Sequence, residues 1–331
     1  MNKVLKRISI AALGFLLIGT GLTICGLLLD GTMAFSYTLG QPVNTKRNHD
    51  YKMVTKEIEP VHSIQVDTDY FDVKVISGKT FSVTYPEGEY IDSSYTIEND
   101  KLTLIVQEKD KSKLQVFCFR GFMPSSFDYN DTQDNTIIVT IPDDTSLKDI
   151  SIHDADGNCL IEGQTADSYA LDLSYGDLAL TDCTGKNIDI KDSDGDVNIS
   201  SSNFDSMTGK LSYGDCHVAD STIGTGDLKL SDGALKLDNG SISTLTAKLS
   251  YGDFTVNHTQ IGQVDASLSD GNFTASFEEG EDEFSTNLST MDGDITINGS
   301  ECGAHYTASG SAKKTLSVKT SYGDINIQFS K

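Results

Sequence analysis

Seven glycines in the middle of the chain are separated by a constant step of nineteen residues. A constant period of this length indicates a repeat array, in which one supersecondary unit stacks on its neighbours. Two further copies follow at longer steps. The nine glycines are Gly157, Gly176, Gly195, Gly214, Gly233, Gly252, Gly271, Gly293 and Gly323.

One repeat has the pattern of two short strands joined by a turn. Around Gly195, Ile188 and Ile190 alternate with polar residues before the turn, and Val197 and Ile199 alternate with them after it. Alternation with a period of two is typical of a half-buried strand. Glycine supplies the positive φ that type I′ and type II turns need. We therefore predict that the nine glycines mark structural turns.

The invariant step predicts an all-β fold, a single-stranded parallel β-solenoid with about 19 residues per repeat. Strands this short bury a core only when successive coils stack and hydrogen-bond to one another. A meander of hairpins is the alternative, because Asp-Gly is also a strong hairpin signal. Independent hairpins, however, would not require the same nineteen-residue spacing from one turn to the next. Nine stacked turns would form a rod of about 40 Å at ~4.8 Å per coil.

The residue before each glycine of the regular run alternates between aspartate and tyrosine. The series is Asp156, Tyr175, Asp194, Tyr213, Asp232, Tyr251 and Asp270. A nineteen-residue coil would interleave the two residue types along one edge, whereas a coil of twice that length would separate them onto opposite edges. We favour the shorter coil, because it keeps the carboxylates about 10 Å apart and weakens their repulsion.

The N-terminal residues predict a membrane anchor. Residues 1–7 form a basic tail, and residues 8–29 contain no charged side chain. That length spans a bilayer as one transmembrane helix, and the basic flank places the N-terminus in the cytoplasm. We expect a single-pass protein of the cell membrane with an extracellular C-terminal domain, and a cleaved signal segment is the alternative. Residues 30–57 lack periodicity and predict a stalk.

The rest of the chain divides by its pattern. Residues 58–142 have strand-like alternation without the nineteen-residue step and predict an irregular β N-terminal portion, whereas residues 143–331 predict the repeat solenoid. Within the first part, residues 117–135 form a long aromatic loop. Loops of this length are unusual unless they bind a partner or pack on a neighbouring surface, and both roles remain open.

The net charge of the chain limits the classes of partner that it can bind. The chain has 49 Asp and Glu against 25 Lys and Arg, a formal net charge of −24, so nucleic-acid binding is excluded. Acidic turns stacked in register should attract divalent cations or cationic peptides weakly. The segment around Asp192, Asp194 and Asp196 lacks the pattern of an EF-hand loop, and stabilisation of the turn is the favoured role of these aspartates.

No catalytic chemistry is indicated. The six histidines are scattered, and the chain has no nucleophile elbow, phosphate loop or zinc motif. No metal or cofactor is predicted. The six cysteines have no pairing logic along the repeat, and we expect those outside the membrane segment to be small buried residues. We therefore predict that the protein is not an enzyme.

The sequence resembles the bacterial "putative adhesin" domain family of unknown function, a β-solenoid of the toast-rack type. The resemblance covers about residues 58–329 and rests on residues 64–75, on residues 137–142 and on the repeated Ser-x-Gly-Asp turns. It implies a protein without catalytic residues. Members with one N-terminal anchor are common in Gram-positive bacteria, and some relatives are linked to envelope stress.

Two functions follow as expectations. The first is a non-enzymatic, membrane-anchored cell-envelope scaffold that acts as an adhesin-like binding or sensing protein, with an unidentified cell-surface, wall or membrane-protein partner. The alternative is an accessory regulator of an envelope-stress response that acts through a membrane-protein partner. Because the predicted cytoplasmic tail is short, such a regulator would signal by lateral contact within the membrane.

Overall fold

The computed structural model describes residues 35–38, 41–44, 51–109, 135–309 and 314–330. The predicted transmembrane helix (8–29) and residues 117–134 of the predicted aromatic loop lie outside this part of the chain. Among the described residues, no helix has the length and apolar character needed to cross a membrane.

The described part consists of β-strands and one short helical turn, Glu281–Glu283. In chain order the strands are β1 (Phe35–Thr38), β2 (Gln41–Asn44), β3 (Tyr51–Glu57), β4 (Ser63–Thr68), β5 (Asp72–Gly78), β6 (Ser82–Gly88), β7 (Ile91–Glu98), β8 (Lys101–Glu108), β9 (Thr136–Pro142), β10 (Ser146–Asp154), β11 (Cys159–Glu162), β12 (Thr165–Leu173), β13 (Leu178–Thr181), β14 (Thr184–Asp194), β15 (Val197–Ser200), β16 (Asn203–Tyr213), β17 (Cys216–Ala219), β18 (Thr222–Asp232), β19 (Leu235–Asp238), β20 (Ser241–Tyr251), β21 (Phe254–Asn257), β22 (Gln260–Asp270), β23 (Phe273–Phe277), β24 (Phe284–Asp292), β25 (Ile295–Ile297), β26 (Ser300–Glu301), β27 (His305–Ser309), β28 (Lys314–Tyr322) and β29 (Ile325–Phe329).

The chain divides into two compact units. The smaller comprises residues 1–51, 88–90 and 108–133, and in it β1 and β2 pair as an antiparallel ribbon. The larger comprises residues 52–87, 91–107 and 134–331 and contains the solenoid. Strand β3, whose residues fall within the predicted stalk, pairs with β6.

The larger unit is a parallel β-solenoid with nineteen residues per coil. Asn203 of β16 pairs in parallel with Thr184 of β14 and with Thr222 of β18, each nineteen residues away. This register excludes both the 38-residue coil and the hairpin meander. Each coil contributes a long strand and a short strand, as the two-strand pattern of the repeat predicted, so the solenoid has two parallel ladders.

Four strands of the region that the sequence marked as irregular belong to the same two ladders. Ile64 of β4 pairs with Ile150 of β10 and with Leu102 of β8, and Val73 of β5 pairs with Ile137 of β9. Two more coils, β4/β5 and β8/β9, therefore extend the array. The nine coils from β10/β11 onward bring the total to eleven, a stack of about 50 Å at ~4.8 Å per step.

Both ends of the stack depart from chain order. The last coil in sequence, β28/β29, lies between β22/β23 and β24/β25, and β4/β5 lies between β8/β9 and β10/β11. Antiparallel strands cover the two ends, β27 against β24 and β6 against β9. These strands close the open edges that would otherwise template pairing with another chain.

The interior is a continuous apolar column between the two ladders. Large aromatic side chains lie within it, and the rings of Phe254 and Phe273 meet edge to face with their centroids 5.2 Å apart. The hydroxyl of Tyr169, which is buried, donates to the carbonyl of Gln164 at 2.8 Å. The core is thus complete without the tyrosines of the turns.

Candidate functional site

The nine turn glycines stack along one side of the solenoid, where each long strand turns into its short strand; we call this side the turn edge. The backbone N–H of Gly214 donates to the carbonyl of Asp232 on the next coil at 3.0 Å. A Cβ atom on Gly195 or Gly214 would overlap the carbonyl oxygen of the glycine one coil earlier. Gly214 also has a φ of 117°, whereas Gly195 is not in the positive-φ region. Close approach of coils therefore adds a constraint to the φ requirement.

The side chain that follows most of the turn glycines links neighbouring coils. The carboxylate of Asp177 accepts a hydrogen bond from the N–H of Asp196 at 2.9 Å, and that of Asp215 accepts one from Ala234 at 2.7 Å. The same bond recurs along the edge. Its acceptors are Asp72, Asn158, Asp177, Asp196, Asp215, Asp253, Asn272 and Asp324. These side chains stabilise the stack, with one oxygen of each engaged by the backbone.

The residue before each glycine faces solvent. Tyr213 and Tyr251 are 59% and 61% exposed, and Asp232 lies between them in the paired register. Two further tyrosines, Tyr175 and Tyr322, are equally exposed. Tyrosine and aspartate thus interleave along the turn edge, as the nineteen-residue coil predicted, and successive tyrosines are two coils or about 10 Å apart.

The departure from chain order preserves this alternation. In sequence, Asp270 is followed by Asp292 and then by Tyr322 at the same turn position. In space, Tyr322 pairs with both Asp270 and Asp292 and lies between them. Insertion of β28/β29 therefore continues the Tyr-Asp series to the end of the stack.

A column of lysines runs beside the turn edge on the outer face of the long ladder. Lys191, Lys210, Lys229 and Lys248 occupy the same position on four successive coils, and all four are exposed. Lys319 continues the column beyond Ser267. Like charges on adjacent strands oppose stability, so repulsion between these lysines works against folding. The sequence analysis missed the column, although its nineteen-residue spacing is visible in the chain.

Two carboxyl groups point into the core. Asp154 and Asp192 occupy the inward position that Leu173 and Leu211 fill on other coils. In each, one oxygen accepts the N–H two residues on, at 3.2 Å, and Oδ2 is buried with no hydrogen-bond partner in the described part of the chain. Burial, aided by nearby carboxylates, raises the pKa of Asp154 to about 7 and that of Asp192 to about 6.

The opposite corner of each coil has a purely structural character. Asp182, Ser201 and His258 adopt φ values between 48° and 53°, a left-handed conformation that turns the chain. The next residue is buried and bonds to its counterpart one coil on, as where the N–H of Ser202 donates to Ser221 Oγ at 3.0 Å. Buried side chains occupy these corners, and hydrogen bonds between neighbouring coils satisfy their polar groups.

The described residues include no group of three or more His, Cys, Asp or Glu side chains placed to hold a metal ion. Cys159, Cys183 and Cys216 are buried free thiols, and Cys302 is partly exposed and also free. Burial raises the pKa of Cys216 to about 12, so this thiol stays protonated and unreactive. Cys25 and Cys118 lie outside the described residues.

Several solved structures are similar to the chain. One is described as a "putative adhesin" from Bacteroides fragilis NCTC 9343, with 15% identity, a TM-score of 0.45, and coverage of 84% of this chain and 97% of that one. Another is described as a "putative lipid binding protein" from Parabacteroides distasonis ATCC 8503, with 12% identity, a TM-score of 0.49, and coverage of 86% and 98%. No curated protein shows significant similarity to the sequence.

A family model provides the assignment. The model described as Toastrack DUF4097 matches residues 61–328, which include both ladders of the solenoid and the whole turn edge. Because this match covers most of the sequence, the chain belongs to the Toastrack DUF4097 family.

Proposed function

We propose that the protein is a non-enzymatic, membrane-anchored scaffold of the cell envelope that binds or senses a partner through its turn edge, in the manner of an adhesin. One observation carries this proposal: four of the six exposed large hydrophobic side chains in the described residues are tyrosines of the turn edge. Tyrosine is enriched at recognition surfaces because its ring offers apolar area and its hydroxyl offers a hydrogen bond.

The repeat also supports a binding role over a catalytic one. A catalytic pair of carboxylates needs one pocket in which the two groups differ in environment. The exposed carboxylates of the turn edge instead recur at equivalent positions, as Asp194, Asp232 and Asp270 do. An array of equivalent sites suits a repetitive or extended partner, because many weak contacts add as avidity.

The location of the scaffold remains part of the proposal. Residues 8–29 would anchor the chain, and the turn edge would face the exterior of the cell. Protease added to wall-stripped intact cells should then degrade the region after Leu29. Complete protection of the solenoid would overturn this orientation, and a soluble form that lacks about the first 33 residues would show a cleaved signal segment instead.

Site-specific cross-linking in intact cells tests the binding role. A photoreactive residue at Tyr213 should form adducts, whereas the same residue at Asn198, exposed on the short ladder, should form few. Adducts with a wall polymer support the scaffold. Adducts with one membrane protein support the alternative, a regulator of an envelope-stress response. Equal adduct formation at both positions would overturn the role of the turn edge.

A further inference from the structure

We propose that the turn edge and the lysine column together bind a linear glycan that carries one carboxylate per disaccharide. Each repeating site would be one tyrosine, which contacts a sugar ring, and the lysine three residues before it, which pairs with the carboxylate. This inference rests on the proposed binding function and specifies the ligand of the same surface.

The coils alternate between two kinds of outer surface. Three of the four tyrosine coils present a hydroxyl residue, a lysine and a tyrosine, as Thr208, Lys210 and Tyr213 do, whereas the coil of Tyr175 has Ala170 and Asp172 at the first two positions. Two aspartate coils present an aspartate, a lysine and a second aspartate, whereas the coils of Asp270 and Asp292 have a serine at the lysine position. The tyrosine coils with a lysine are completed by Thr246, Lys248 and Tyr251 and by Ser317, Lys319 and Tyr322, and the aspartate coils with a lysine are Asp189, Lys191 and Asp194 and Asp227, Lys229 and Asp232.

From the coil of Asp194 onward, charge therefore alternates along the solenoid. At these three positions each of the three tyrosine coils with a lysine has a net charge of +1, whereas the aspartate coils and the coil of Tyr175 have a net charge of −1 or −2. Lys229 of an aspartate coil lies 3.5 Å from the carboxylate of Asp227. Lys191, Lys210 and Lys248 have no ion pair within the described residues, but Lys191 shares its coil with Asp189 and Asp194. From the coil of Asp194 onward, the surface thus offers one coil of net positive charge for every two coils.

The spacing matches a disaccharide. Two coils advance about 10 Å along the solenoid, which is the length of one two-sugar repeat in an extended β-1,4-linked glycan. A flat aromatic ring packs against the C–H face of a sugar, and its hydroxyl can bond to the sugar's hydroxyl groups. The aspartate coils would face the intervening sugar and accept hydrogen bonds from its hydroxyls. They would also repel a polymer with an anion on every unit.

The position of the inserted coil, β28/β29, indicates that the two-coil period belongs to the folded surface and not only to the order of repeats along the chain. Tandem duplication of two repeats would explain an alternation in chain order. At the end of the stack, however, chain order breaks the alternation, and insertion of β28 between β22 and β24 restores it. The inserted coil brings Lys319 and Tyr322 together, so it adds a complete tyrosine coil in phase with the others.

Direct binding to defined polymers tests the proposal. The full-length chain in detergent micelles is titrated into fluorescently labelled peptidoglycan glycan strands from which the peptides have been removed, so that each disaccharide keeps one lactyl carboxylate. We expect binding that tightens with strand length, as repeated equivalent contacts require. Chitohexaose, which has the β-1,4 backbone without carboxylates, and polyglutamate, which has carboxylates without rings, should both bind weakly.

Matched variants test the separate roles of the tyrosine and the lysine in glycan binding. Tyr213→Asp combined with Tyr251→Asp introduces the residue found on alternate coils, and Lys210→Ser combined with Lys248→Ser introduces the residue at Ser267. Each pair should weaken binding about tenfold or more, because two linked contacts are lost together. The control pair, Lys191→Ser with Lys229→Ser on the aspartate coils, should change affinity little. Thermal melting verifies that all three remain folded.

Each other outcome overturns the inference. Equal loss from the two lysine pairs would show a general charge effect, and unchanged binding by the tyrosine pair would remove the ring contact. Tight binding of oligolysine without glycan binding would assign the edge to cationic peptides. Failure of every glycan, together with adducts specific to Tyr213 in cells, would overturn this ligand and leave the proposed binding function standing.

Discussion

The carboxylate of Asp196 accepts a hydrogen bond at 2.8 Å from the backbone N–H of Asp215, which lies one coil further along the solenoid. The side chain thereby satisfies a donor that the parallel ladders leave unpaired at the turn. Because one oxygen of each such carboxylate is occupied in this way, the acidic turns are part of the stacking interaction and not a freely arranged row of charges.

Asp196→Ala should lower the free energy of unfolding by about 1 kcal/mol, because the N–H of Asp215 loses its acceptor. Asp196→Asn should cost much less, since the amide oxygen can accept the same bond and one negative charge is removed. Urea denaturation of both variants measures the difference. An equal loss for alanine and asparagine would show that the charge matters and that the hydrogen bond does not.

Ala234 interrupts this series of acceptors, because its methyl group cannot accept the N–H of Asp253 on the next coil. Ala234→Asn should therefore raise the free energy of unfolding by about 0.5–1 kcal/mol. Ala234→Asp should stabilise less, because it adds another carboxylate to a chain of net charge −24. The urea midpoints of the two variants test this order, and destabilisation by asparagine would contradict it.

The coil was predictable from the sequence, but the order of the coils at the ends was not. The nineteen-residue step and the period-2 alternation are local signals, and they suffice for an all-β parallel solenoid. Which coils become neighbours depends on pairing between strands that carry the same pattern. At the position after Leu268 in space, Thr320 and Thr290 fit equally well by pattern, and tertiary pairing places Thr320 there.

Part of the candidate site could be predicted from the sequence. The alternation of Tyr213 and Asp232 and its placement along one edge followed from the step. The column containing Lys210 follows from the same step, but a charged residue on a strand reads as an ordinary solvent-facing position. The buried state of Asp192 could not be predicted, because the same stretch places exposed aspartates two residues later and its inward direction depends on the strand register.

Gly195→Ala should lower the free energy of unfolding by about 1–3 kcal/mol, the range for overpacking. The new methyl group would overlap the carbonyl oxygen of Gly176, and φ strain does not contribute because Gly195 is outside the positive-φ region. Tyr213→Asp, which exchanges one turn residue for the other, is the control and should cost much less. Thermal and urea unfolding compare them. Equal losses would remove the special status of the glycine.

Removal of divalent cations should leave the fold intact. The turn carboxylates, such as Asp177 and Asp196, already bond to the backbone, and a calcium site needs roughly six to eight oxygens at one point. We expect an unchanged melting temperature after addition of a chelator, together with weak calcium binding that fades as salt rises. A large fall in melting temperature with saturable binding at fixed stoichiometry would instead establish true calcium sites.

The buried carboxyls predict that the solenoid loses stability as pH rises towards neutrality. Burial holds the pKa of Asp192 near 6 and that of Asp154 near 7, above the value of 3.8 for an exposed aspartate. Between about pH 4 and pH 7 the folded chain therefore retains protons that the unfolded chain has released. The contribution of these two carboxyls to the free energy of unfolding should fall through this window, by about 1.4 kcal/mol for each unit of pKa difference.

Asp192→Leu isolates this effect, because leucine fills the same inward position at Leu173 and Leu211. The variant should be more stable than the parent chain at pH 7.5, where a buried carboxylate is costly, and the gain should shrink at pH 4.5, where the parent's carboxyl is protonated. Asp194→Asn, at an exposed position two residues away, should leave the shape of the pH profile unchanged. Urea denaturation from pH 4.5 to 7.5 compares the three chains. Parallel profiles for the parent and Asp192→Leu would show that this carboxyl does not titrate in the window, and a smaller slope in the variant would show that it does.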